Sequence, residues 1–201
     1  MSRTRAILVW AALAAVVVWP LAVAATSPLL EWRQPVYIAA GLAGVVALAL
    51  LFVQPLLAGG MLPGFPLPKS RAWHRRIGIA LVAAVVIHVV GLWITSPPDV
   101  IDVLLFRSPT PFSVWGVTAM WAVLATALLA VFRRRIRPRH WRLAHTALAA
   151  VTVVGTVVHA VLIEGTMGTV SKVVLCALAV LATTKVIVDL RSWSALRRRK
   201  A

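Results

Sequence analysis

The chain has 201 residues, 61% hydrophobic and only 13% charged, with a mean hydropathy of +0.93, far too little polar surface to coat a soluble globule of 21.6 kDa. This composition excludes a disordered chain, a collagen, a coiled coil and a disulfide-stapled secreted domain, and the single Cys176 can form no intrachain disulfide. The net charge of +16 would suggest nucleic acid if it lined a soluble face, but the basic residues punctuate long apolar runs, so the expected partner is a lipid bilayer and no nucleic acid.

A helix needs about 20 apolar residues to cross the hydrocarbon core. Six segments qualify, 6–26, 37–57, 74–95, 112–132, 141–163 and 170–190, which predicts an all-α, six-helix transmembrane bundle. The first follows Ser2-Arg3-Thr4-Arg5 and contains Ala22-Val23-Ala24, which resembles a cleavage site; its apolar run is longer than a signal peptide's, which favours a retained helix. After the second span come Lys69, Arg71, Arg75 and Arg76, and after the third the stretch 97–111, bounded by prolines, which predicts a short surface helix. The fourth and fifth spans flank the arginines of 133–142. In the sixth, Lys185 and Asp189 are spaced for a local ion pair, and Arg197-Arg198-Arg199-Lys200 follow it. No loop has room for a soluble flavin or nucleotide domain and no GxGxxG occurs, so residues 1–201 read as one transmembrane domain.

Charge orients the bundle. With both termini cytoplasmic, 17 of the 21 basic residues fall inside, against Arg33, Arg107 and Lys172 in the outer loops, where four of the five acids lie. The positive-inside rule therefore predicts a multi-pass protein of the plasma or inner membrane with both termini in the cytoplasm. Trp19, Trp32, Trp73, Trp93, Trp115, Trp141 and Trp193 fall near span ends, where an indole favours the headgroup layer, whereas Trp10 and Trp121 read as packing residues.

The histidines carry the functional argument. His74 and His88 stand 14 residues apart, as do His145 and His159. Fourteen helical steps return to nearly the same face, about 21 Å along the axis. The third and fifth spans run in the same direction, so His74 lies level with His145 and His88 with His159. Two facing imidazoles at one depth are what bis-axial ligation of a haem iron requires, and the chain offers the arrangement twice. With no CxxCH, two such haems would be non-covalent haem b, although one remains possible if His74 belongs only to the basic collar beside it. The plain alternative is that these histidines hydrogen-bond between helices. His140 lies on another face and reads as interfacial.

Four residues from each histidine, on its own face, stand Gly78, Ala84, Ala149 and Gly155, small enough for a flat ring to approach, or simply for helices to touch. Leu81 and Thr152 fall between the two levels. Arg75, Arg76 and Arg142 are candidate partners for haem propionates, although topology alone explains most of the arginines. Cys176, Met120 and Met167 have no ligand spacing.

The stretches HRRIGIALVAAVVIH and WRLAHTALAAVTVVGTVVH, with LLFRSPTPFSVWG between them, resemble the ferric reductase-like transmembrane domain. That family includes the membrane parts of ferric reductases and NADPH oxidases and the haem-binding membrane subunit of the bacterial methionine sulfoxide reductase system. The resemblance spans about residues 37–190. It implies a cytochrome b, an oxidoreductase component, whose axial ligands match His74, His88, His145 and His159. The family's C-terminal FAD and NAD(P)H domain has no counterpart here, which implies a cytoplasmic flavoprotein reductase or a quinol as donor, with flavin supplied by a partner. The implied acceptor is a ferric chelate, dioxygen or a periplasmic redox protein.

The expected architecture encloses both haems within spans two to five, with spans one and six peripheral. Two rivals stay open: a quinol-linked dihaem cytochrome b subunit of a larger complex, and a small permease whose histidines relay protons or bind a metal.

Overall fold

The computed structural model describes residues 2–198, with side chains to residue 189; Arg199 and Lys200, and the side chains of Arg191, Trp193, Arg197 and Arg198, lie outside the described residues. Every regular element among the described residues is helical. The helices are α1 (Arg3–Ala25), α2 (Pro35–Ala58), α3 (Leu67–Thr95), α4 (Pro97–Leu104), α5 (Ser113–Val131), α6 (Pro138–Leu162) and α7 (Thr169–Arg198). All but the short α4 include a segment long and apolar enough to cross a membrane.

Helix starts follow from chemistry. Proline lacks the N–H that a first turn leaves unpaired, and it opens or closely follows the start of α2, α3, α4 and α6, while the Ser2 side chain caps α1 by accepting from the Arg5 N–H. α4 is the short helix expected after the third span. The third span differs from expectation: α3 begins at Leu67, seven residues before 74. Hydropathy excluded Lys69 and Arg71, but Pro66 and Pro68 start the helix there, so His74 sits two turns inside α3 and not at its boundary.

Two antiparallel hairpins dominate the packing, α2 with α3 and α5 with α6. A cluster of Ala47, Leu51, Leu81, Ala84 and Val153 joins α2, α3 and α6. A second gathers Ala24, Leu48, Phe52, Leu175 and Ala179 from α1, α2 and α7. The sixth span is therefore not peripheral to the core: Leu175 and Ala179 are fully buried, because alanines along α2 and α7 let the backbones approach. Trp10 is 37% exposed but makes contacts, its indole N–H donating to the Pro63 carbonyl at 3.3 Å and its ring standing 5.6 Å from Phe65. Trp121, read as a packing residue, is 54% exposed on α5. Lys185 and Asp189 form the expected ion pair at 2.9 Å.

Candidate functional site

α3 and α6 bring the four histidines to two levels. One end of the bundle, here the basic end, carries the arginines of 71–76 and 133–142; the opposite end is the far end. At the basic end His74 and His145 face each other with ring centres 6.2 Å apart and planes at 75°. At the far end His88 and His159 each stand 14 residues further along the same two helices, α3 and α6. Leu81 and Thr152 are buried between the levels.

Three of the four rings are oriented by backbone carbonyls of the neighbouring helix. The Nδ1–H of His88 donates to Ala40 at 2.8 Å, that of His159 to Phe112 at 2.9 Å and that of His74 to Gln54 at 3.2 Å. A carbonyl can only accept, so each Nδ1 carries the proton and each Nε2 keeps its lone pair. That is the tautomer of a metal-binding imidazole held by an outer hydrogen bond.

The far-end rings reach their carbonyls because the residue one turn further along is glycine. A Cβ at Gly44 would lie 3.0 Å from His88 Nδ1, and one at Gly116 would lie 2.6 Å from His159 Nδ1. Carbonyl and glycine are four residues apart in both cases, 40 with 44 on α2 and 112 with 116 on α5. The two hairpins thus repeat one arrangement at an offset of 71 residues for the histidines and 72 for their clamps. The Phe112 ring also stands edge-on to His159, with centres 5.8 Å apart.

His145 is held differently. Its Nδ1 is buried without a hydrogen-bond partner, and its ring stacks on Trp141 at 4.9 Å with the planes 12° apart. Trp141 is fixed in turn, since its indole N–H donates to the Leu129 carbonyl at 3.3 Å and the Arg133 guanidinium lies 4.8 Å from its ring centre. Sequence reasoning assigned Trp141 only to the membrane boundary and missed Gly44 and Gly116 altogether.

The remaining predicted site residues distribute as follows. Arg75, Arg76 and Arg142 are exposed at the basic end, with Arg76 lying over Trp73 at 5.1 Å, and among the described residues none of the three forms an ion pair. Gly78 faces the Gln54 side chain: a Cβ there would lie 3.3 Å from Gln54 Nε2. Gly155 makes room for α5, since its Cβ would meet the Trp115 carbonyl at 3.0 Å and Ala119 at 3.1 Å. Ala84 is buried and Ala149 half-buried, while His140 is exposed, as an interfacial residue should be.

Among the described residues no three His, Cys, Asp or Glu side chains converge on one point; the imidazoles come in twos. Two metal–nitrogen bonds of about 2 Å each, with the reach from each ring nitrogen to its ring centre, come to roughly 6 Å. The 6.2 Å between the His74 and His145 ring centres is of that size.

A family model described as "Ferric reductase like transmembrane component" matches residues 40–156. The match takes in His74, His88 and His145 and both clamp glycines, and it stops three residues before His159. No curated protein and no solved structure matches the chain.

Proposed function

Because the chain belongs to the ferric reductase like transmembrane component family, we propose that it is a transmembrane electron-transfer protein in which His74 with His145, and His88 with His159, each hold a haem b. The observation that carries this reading is the 6.2 Å separation of the basic-end imidazoles, together with carbonyl bonds that leave the Nε2 of three of the four histidines free.

When bound, haem supplies a one-electron couple at each level. The chain's own part is ligation, orientation and exclusion of water. The Gln54, Ala40 and Phe112 carbonyls fix the tautomer of His74, His88 and His159, and the Trp141 stack fixes the plane of His145. Buried Leu81, Ala84 and Val153 keep the space between the levels apolar. Arg75, Arg76 and Arg142 remain free to bind carboxylates.

The positive-inside rule assigns the basic end to the cytoplasm. A surface of that charge attracts an acidic flavoprotein reductase, which would bring its own flavin as donor; a membrane quinol is the other donor in keeping with the fold. The acceptor then lies outside: a ferric chelate, dioxygen or a periplasmic redox protein. The test is a dithionite-reduced spectrum of the purified protein with pyridine haemochrome quantification. Two low-spin b-type haems per chain are expected. Colourless material that takes up no added hemin would overturn the reading and favour a permease.

A further inference from the structure

Gln54 is the one buried side chain among the described residues whose two polar atoms both lack a hydrogen-bond partner. It is 8% exposed, in a bundle where a buried amide left unpaired is destabilising. Its position ties it to the basic-end pair. Its backbone carbonyl accepts from His74, and its Nε2 lies against Gly78, one helical turn from His74 towards the membrane centre. The next residue, Pro55, sits inside α2 and has no N–H to return to the Leu51 carbonyl.

An amide with a vacant donor and a vacant acceptor calls for a ligand that accepts and donates at once. Beside Gly78 the smallest such ligand is water, and buried waters characteristically settle on polar groups left unpaired in this way. We propose that Gln54 forms a single-water site beside the His74–His145 pair, and that this polar site holds the reduction potential of that centre below what an apolar wall would give. The inference rests on the haem reading above. Its physical basis is that the oxidised iron–porphyrin core carries one more positive charge than the reduced core, so neighbouring polarity favours the oxidised form.

The test is a spectroscopic redox titration of the full chain carrying both haems, with the basic-end centre identified as the one lost in His145→Ala. Gln54→Leu should raise that midpoint by about tenfold in the reduction equilibrium, ~59 mV for one electron, and leave the other unmoved. Gln54→Asn keeps the amide and adds room for water, and should stay near the wild type. If Gln54→Leu does not fold, Gln54→Met decides by the same criterion. A fall, no movement, or an equal movement of both centres would overturn the proposal. Wild-type protein without haem would instead overturn the functional reading.

Discussion

Gly116 and Gly44 exert their effect through histidines they do not resemble. At Gly116 a methyl group would fall 2.6 Å from His159 Nδ1, closer than real Cβ atoms come to a neighbour, so Gly116→Ala must displace the ring from the Phe112 carbonyl. At Gly44 the corresponding distance is 3.0 Å, and a shift of a few tenths of an ångström relieves it. Overpacking of this kind costs about 1–3 kcal/mol. Gly116→Ala should therefore lower far-end haem occupancy more than Gly44→Ala, measured as haem per chain. On the proposed haem reading, removing the imidazole itself is more severe: His88→Ala or His159→Ala should bring two haems per chain down to one, read by pyridine haemochrome, with the basic-end spectrum retained. The histidines were legible in the sequence because a 14-residue interval on one helix fixes face and depth together. The glycines were not, because their partners lie 44 and 43 residues away on another helix, and the register between two helices is set by packing. Gly155 was legible as a small residue but not as a contact of α5, for the same reason.

Helix ends and helix neighbours differed in how far the chain announced them. The spans were visible as apolar runs, and proline and serine mark where most begin. The first two turns of α3 were hidden because hydropathy penalises Lys69 and Arg71, although proline chemistry favours a helix start there. The central place of α7 was hidden too, since an alanine-rich helix suits a lipid-facing or a buried position equally well. Ala179 is fully exposed to that ambiguity in sequence and fully buried in the fold, against α2. Ala179→Leu should therefore lower the melting temperature of detergent-solubilised protein, at a cost of about 1–3 kcal/mol, while haem content stays unchanged in the folded fraction, because α7 contributes no imidazole.

At the scale of the molecule, charge asymmetry and internal repetition matter most. A cytoplasmic basic end predicts that a reporter fused after Arg135 is active in the cytoplasm, while one fused after Phe106 is active on the opposite side; the reverse pattern would invert the orientation. The repetition has a further consequence. Each hairpin brings one imidazole to each level, and at the far end its own carbonyl and glycine, so neither holds a complete pair of imidazoles alone. Severing the chain within the α4–α5 connection should yield two colourless fragments that regain pigment only on co-expression, as α7 in the second fragment docks against α2 in the first. Such complementation would make the molecule a covalent heterodimer of two half-sites.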